Sequence, residues 1–190
     1  MRALRHLLLG SMLAGAALAA TPAQAAPVRP AVVSVMETSG VLQPGEYLWA
    51  PEGVAPGKLS IVVDLMRERL YVYRGGVEIG RTLIIYGADH KPTPTGSFPI
   101  LQKDRDHVSN LYNAPMPYML RLTWGGVAIH GSGEDVDSRY ATHGCIGVPD
   151  EFAALLFAQA RNGDTVLVTR NWMPEVYGAG ERPLQVAAAD

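Results

Sequence analysis

The sequence ATHGCIGVPDEFAALLFAQARNG, residues 141–163, joins a glycine-containing loop to the one clearly helical segment of the chain. Apolar residues recur at helical spacing over residues 152–159. Asp150 precedes this run and Gly163 follows it, and these residue types favour the start and the end of a helix, so we expect them to cap it. The helix follows directly after Cys145, the only cysteine of the chain.

The segments on either side of this stretch have strand patterns instead. Short runs rich in β-branched and aromatic residues alternate with glycine-rich turns, which predicts hairpins. Many short strands with one helix predict a mostly β (α+β) domain, with a sandwich or barrel-like arrangement and the helix after the cysteine loop. The polar segment DRDHVSN, residues 104–110, is predicted to be a surface loop. The predicted strands are LSIVVDL at 59–65, RLYVYRG at 69–75, VEIGRTLIIYG at 77–87, PYMLRLT at 117–123, GVAIHG at 126–131 and DTVLVTR at 164–170.

The first 25 residues have the three parts of a secretory signal peptide. Arg2 and Arg5 open the chain, a Leu/Ala-rich stretch follows, and Ala23-Gln24-Ala25 ends it. The alternative is a membrane anchor, but the apolar part is short for a span and contains glycine and serine. We therefore expect an exported protein of the periplasm or cell envelope, without stable membrane insertion after signal cleavage.

The rest of the chain divides by composition into three parts. Residues 26–57 are rich in Pro, Gly and Ala, which indicates a linker or extended lead-in. Residues 58–170 hold the predicted strands and helix, and we interpret them as the main folded domain. Residues 171–190 are predicted to be a C-terminal tail.

The charge of the chain argues against a polyanionic partner. The formal net charge is −2, and loss of two arginines with the signal peptide makes it −4. No block of like charge is present, so neither nucleic acid nor an anionic membrane surface is an expected partner. Composition gives no indication of the oligomeric state.

Cys145 is a candidate nucleophile because of its surroundings in the sequence. It cannot form an internal disulfide, and a lone thiol in an exported chain is either an inert core residue or retained for its reactivity. A thiol at the start of a helix has a lowered pKa, and a nearby imidazole such as His130 can accept its proton. Gly144 allows a tight turn whose backbone N–H groups could bind an oxyanion.

Two other kinds of site are weaker interpretations of the same residues. His130, His143 and Cys145 are three possible zinc ligands, but there is no fourth ligand and no zinc motif, so no metal or organic cofactor is expected. Ser132 lies in HGSG, which lacks the G-x-S-x-G pattern of a serine nucleophile.

Three segments, taken in order, resemble one known family. IHG at 129–131 followed by THGCI at 142–146 resembles the signature of the L,D-transpeptidase catalytic domain (YkuD-like). HKPTPTGSFPI at 90–100 resembles the family's Thr-Pro-x-Gly-x-Phe segment, and APMPYMLRLTWGGVAIHG at 114–131 resembles its strand leading into the histidine. The similarity extends over most of the predicted domain, from residue 59 to residue 169.

The resemblance implies a role for each matching residue. Cys145 corresponds to the nucleophile and His130 to the general base, while the backbone carbonyl of Gly131 orients the imidazole. Thr142, His143 and Gly144, just before the cysteine, correspond to the loop that shapes the oxyanion and substrate site. The family acts on peptidoglycan stem peptides: the thiol forms a thioester with the third stem residue, D-alanine leaves, and an amine of a second stem completes a 3→3 cross-link.

One position departs from the family pattern. Gly147 stands where the family has Arg or Asn, so substrate anchoring is expected to be weaker or supplied by Arg121 or Arg139. Three alternatives follow for the function: an L,D-carboxypeptidase in which water resolves the thioester, an enzyme that attaches protein to peptidoglycan, and a degenerate domain that binds peptidoglycan without chemistry.

Overall fold

The computed structural model describes residues 29–37, 41–88, 90–133, 136 and 141–172. The predicted signal peptide at 1–25 and all but the first two residues of the predicted tail at 171–190 lie outside them. The elements in the described ranges are β1 Tyr47–Trp49, β2 Leu59–Asp64, β3 Arg69–Arg74, β4 Val77–Leu83, β5 Gly96–Pro99, β6 Gln102–Val108, β7 Pro115–Arg121, β8 Ala128–Gly131, β9 Ile146–Val148, α1 Asp150–Gln159 and β10 Thr165–Thr169.

Two sheets account for these strands. Sheet A has six strands in the order β1-β4-β3-β2-β10-β5, and sheet B has four in the order β6-β7-β8-β9. Most neighbours are antiparallel, but β10 pairs parallel with β2, and β9 pairs parallel with β8. The prediction of a mostly β domain with one helix after the cysteine loop is confirmed for the described residues.

The main core lies between the two sheets and includes one side of α1. Alternate residues of sheet A, such as Ile61 and Val63 of β2, are buried against Ile129 and Ile146 of sheet B. Phe152 of α1 is fully buried in the same cluster. Intervening residues of sheet A form a second buried cluster on its other face, together with Trp172, which follows β10; the sheet residues are Val62, Tyr71, Tyr73 and Leu167.

The predicted lead-in contributes to the sheet. Residues 47–49 form the edge strand β1, which pairs antiparallel with β4. The indole of Trp49 meets the Phe152 ring edge-on, with the ring centroids 5.5 Å apart. The end of the segment at 26–57 is therefore part of the folded unit, because its aromatic side chains close one side of the core.

The prediction of a surface loop at residues 104–110 was wrong for most of that segment. Residues 104–108 belong to β6, which pairs with β7 along its length. The polar side chains do not prevent this, because a strand at a sheet edge needs backbone pairing and only partial burial.

The predicted helix caps were also wrong. The N-cap residue is Pro149, without a side-chain cap, and Asp150 is the first residue of the helix. The Asp150 carboxylate instead accepts a hydrogen bond from the backbone N–H of Gly133, at 2.9 Å. At the other end, Ala160 is extended and ends the helix, and Gly163 lies in the turn that follows.

In the part of the chain that the structure describes, no helix is long and apolar enough to cross a membrane.

Candidate active site

The outer face of sheet B, opposite the core, carries the candidate residues. His130 of β8 is level with Gly147 of β9, and Ile129 is level with Ile146. Cys145 directly precedes β9, so its side chain shares the face of Gly147 and therefore of His130. The thiol and the imidazole thus lie diagonally across two neighbouring strands. Residues 15 positions apart in sequence become neighbours because β8 and β9 are paired in this register.

Hydrogen bonding fixes the protonation of the His130 ring. Its Nδ1 lies 2.7 Å from the carbonyl oxygen of Gly131. A carbonyl oxygen only accepts, so Nδ1 carries the proton and Nε2 keeps a lone pair when the ring is neutral. The hydroxyl oxygen of Ser132 lies 3.4 Å from the same Nδ1.

Burial favours the neutral form of both side chains. It lowers the pKa of His130, and this effect outweighs the opposing hydrogen bond to Gly131 and the charge of Asp150. Burial also raises the pKa of the Cys145 thiol, although the Ala128 backbone and nearby cations oppose the shift. The pair is therefore a thiol next to an imidazole with an available nitrogen, which can remove the proton as the sulfur attacks.

The expected helix-start position of the thiol was wrong. Strand β9 and Pro149 separate Cys145 from α1. The side chain is half-buried, and its Sγ lies 3.4 Å from the carbonyl oxygen of Gly126 in the β7–β8 turn. The thiol therefore lies beside a sheet edge and a turn, not at the positive end of a helix. Burial consequently has the largest effect on its pKa.

The loop before Cys145 is held by its own side chains. The Thr142 hydroxyl donates to the carbonyl oxygen of Cys145 at 2.6 Å and accepts from the N–H of Gly144 at 3.2 Å. Gly144 has a φ of 105°, which other residues rarely adopt. The N–H of Gly144 is therefore used inside the loop, where it shapes the turn that presents the thiol.

Thr93 is a residue of this site that the sequence did not single out. Its buried hydroxyl accepts from the N–H of Gly87 at 2.9 Å and donates to the carbonyl oxygen of Gly144 at 3.0 Å. It therefore joins three segments beside the thiol. The Thr-Pro-x-Gly-x-Phe similarity marked the segment, but only the fold shows which group of it reaches the cysteine loop.

The side chain of His143 packs against an aromatic residue of another loop. Its ring stacks on Tyr112 of the β6–β7 loop, with centroids 4.3 Å apart and planes inclined by 19°. The Tyr112 hydroxyl accepts a hydrogen bond from the Lys91 ammonium at 2.9 Å. This exposed cluster connects three loops at one end of the site. Among the described residues, no three His, Cys, Asp or Glu side chains are grouped so as to hold a metal ion.

Gly147 has no space for a side chain. A Cβ atom there would collide with the Ser132 hydroxyl and would lie 2.6 Å from Cγ1 of Ile85. Ile85 forms a backbone bridge with Gly147, so the sheet fixes the position of its backbone. Of the two arginines considered as substitutes, Arg121 lies on the same face of sheet B, and Arg139 is outside the described residues.

Comparison with known proteins places this geometry in a family. The model of the L,D-transpeptidase catalytic domain (YkuD) matches residues 58–168, more than half of the chain. The chain belongs to the L,D-transpeptidase catalytic domain family. It is 30% identical over 133 residues to L,D-transpeptidase 1 of Mycobacterium tuberculosis, a match that covers 62% of this chain. The match covers 53% of that protein, so it spans about half the length of this relative.

Solved structures support the same fold. An L,D-transpeptidase from Mycobacterium smegmatis superposes with a TM-score of 0.55 at 26% identity, covering 58% of each chain. The L,D-transpeptidase LdtMt1 in complex with imipenem gives a TM-score of 0.56 at 28% identity, with the same coverage of both chains.

Proposed function

We propose that this protein is an exported L,D-transpeptidase that acts on peptidoglycan stem peptides through a thioester on Cys145. The observation that carries the proposal is that Cys145 and His130 lie on one face of sheet B, with Nδ1 of His130 bound to the Gly131 carbonyl so that Nε2 is left to accept a proton. Membership of the L,D-transpeptidase catalytic domain family supports it. Export is supported by the signal-peptide pattern of the first 25 residues, and no metal or organic cofactor is part of the scheme.

The proposed chemistry follows from the protonation states of the pair. Sγ of Cys145 attacks the carbonyl carbon of the third stem residue, and Nε2 of His130 takes the thiol proton. The tetrahedral intermediate collapses, the C–N bond to D-alanine breaks, and the imidazolium gives its proton to the leaving amine. The amine of a second stem then attacks the thioester, which releases the thiol and leaves a 3→3 cross-link.

Each residue around the pair has a proposed part in this scheme. The carbonyl of Gly131 holds the His130 ring in the tautomer that accepts at Nε2. Thr142 and Gly144 shape the loop that presents the thiol, and His143, stacked on Tyr112, forms one border of the substrate site.

The test is the intact mass of the full chain after incubation with purified tetrapeptide donor. We expect an adduct of the donor minus D-alanine, absent from a Cys145→Ala variant. A carbapenem is a second probe, since a related enzyme has been solved in complex with imipenem. Product masses then separate cross-linking from hydrolysis by water and from attachment of a protein amine. If neither reagent modifies the wild-type thiol, the proposal is wrong, and the result favours the alternative of a domain that binds peptidoglycan without chemistry.

A further inference from the structure

One row of side chains crosses the outer face of sheet B beside the thiol. Gln102 of β6 is level with Arg121 of β7, and Arg121 is level with Ala128 of β8. Cys145 comes one residue before Ile146, which pairs with Ile129, so Cys145 is next to Ala128. The row thus places a guanidinium and a thiol on either side of one methyl group.

The distance across this row suits a small anionic group of a substrate. Arg121 and Cys145 are two strand spacings apart, which is about 9–10 Å between backbones. Both side chains stand on the same face and only Ala128 separates them. The positive charge of Arg121 also acts on the thiol, since it opposes the rise in the pKa of Cys145.

The Arg121 side chain is held at one atom. Its Nε donates to Oε1 of Gln102 at 3.0 Å. Its two terminal nitrogens donate to no acceptor among the residues that the structure describes, and the side chain is only partly buried. An arginine fixed at Nε presents those terminal N–H groups as a fork that matches a carboxylate.

We propose that Arg121 binds a carboxylate of the donor stem, and so supplies the anchoring for which Gly147 has no side chain. The inference rests on the proposed function, because it names the recognition group of that donor. Gly147 cannot carry an anchoring side chain without displacing Ser132 and Ile85. Arg121 lies on the other side of β8 from the thiol, and its charge acts on Cys145 across Ala128, which is buried in a small apolar cluster with Met116 and Met119.

The experiment measures the rate of Cys145 acylation with three donors. One is the tetrapeptide stem with all its carboxylates, one has the D-alanine terminus as a carboxamide, and one has the diamino-acid carboxylate as a carboxamide. In the wild type, we expect one of the two carboxamide donors to acylate about 10- to 100-fold more slowly than the parent stem, as the loss of a charge-assisted bidentate contact implies. In Arg121→Gln, that difference should disappear.

The matched control is Arg105→Gln, which removes the same charge from the neighbouring strand β6. The Arg105 guanidinium lies over the Tyr118 ring, at 5.7 Å from its centroid. Arg105→Gln should keep the wild-type ratio of acylation rates between donors. If Arg121 had a merely structural role, Arg121→Gln would slow all donors alike and would also keep that ratio. The inference is overturned if Arg121→Gln keeps the wild-type ratio, or if Lys91→Gln removes it instead. Absence of acylation by every donor would instead contradict the proposed function.

Discussion

Sheet A is covered by apolar side chains on both faces, whereas the outer face of sheet B combines the candidate site with only a small apolar cluster of Met116, Met119 and Ala128. In β2, Ile61 and Val63 face the main core while Val62 faces the second cluster. In β8, Ile129 faces the core while His130 faces the thiol. Side chains of sheet A therefore contribute mainly to the free energy of folding, and the outer face of sheet B is available for chemistry.

The largest expected effect lies on the outer face of sheet B. Cys145→Ala should abolish acyl transfer, because no other described residue offers a thiol. The side chain is small and half-buried, so the midpoint of thermal unfolding should stay close to that of the wild type. Donor turnover and calorimetry on the same preparations measure both. Residual turnover near the wild-type rate would contradict the assignment of the nucleophile.

The next effect concerns the base on the same face. His130→Ala should lower acylation by about 10²–10⁴-fold, the usual contribution of a positioned general base. His107→Ala is the control on the same sheet: His107 forms its hydrogen bond with Asp104 and acts on His130 only through its charge, so its loss should change the rate much less. Single-turnover rates of thioester formation provide the measurement. Equal losses in the two variants would mean that a general disturbance of the sheet, rather than loss of the base, lowers the rate.

A substitution in sheet A should show the opposite pattern. Leu167 of β10 is buried in the second cluster, on the face that points away from sheet B. Leu167→Ala should lower the free energy of unfolding by about 2–5 kcal/mol, as buried leucine truncations do. Below the unfolding transition, the acylation rate per folded molecule should not change. Denaturant unfolding and active-thiol titration test this, and a slower thiol in the fully folded variant would show that the two sheets are coupled.

Several of these features were predictable from sequence because they depend on neighbouring residues. The hairpins of β2–β3 and β7–β8 follow from runs of β-branched and aromatic residues on either side of short turns, and His130 and Cys145 were singled out by residue type and loop context. Strand β6 was not predicted, because DRDHVSN has no apolar alternation and its structure comes from pairing with β7. Local patterns do not contain that kind of long-range pairing.

Thr93 and Gly147 show the same limit within the site. The Thr93 hydroxyl reaches a carbonyl 51 residues later in the chain. Absence of a side chain at Gly147 suggested a deficit, but the fold shows that Ser132 and Ile85 occupy the space. Both facts depend on how the strands are brought together, which residue types alone do not determine.

A smaller effect than that of Leu167 is expected where a hydroxyl connects the loops. Thr93→Val keeps the shape but removes the acceptor of the Gly87 N–H, and leaving such a buried group unsatisfied costs about 1–3 kcal/mol. The cysteine loop should then be less well held, so both stability and acylation rate should fall. Thr93→Ser keeps the hydroxyl and should restore most of the rate. If the serine and valine variants have the same rate, the hydroxyl does not position the loop.

The smallest expected effect tests whether Gly147 lowers activity because it lacks a side chain, or whether it is needed because Ser132 and Ile85 pack against it. Gly147→Ala places a methyl group against the Ser132 hydroxyl and Ile85. Ser132 can rotate in part, so we expect a loss of about 1 kcal/mol, at the low end of the range for overpacked sites. Its hydroxyl lies near Nδ1 of His130, so the acylation rate should also fall a few-fold as the ring loses that neighbour. The double variant Gly147→Ala with Ser132→Gly removes the collision with Ser132 but keeps the one with Ile85, and non-additivity in the free energy of unfolding would report the contact with Ser132. Gly147→Ala alone could instead be as stable as the wild type and faster with tetrapeptide donors. In that case the glycine lowers activity, and the packing of Ser132 against Gly147 does not contribute to function.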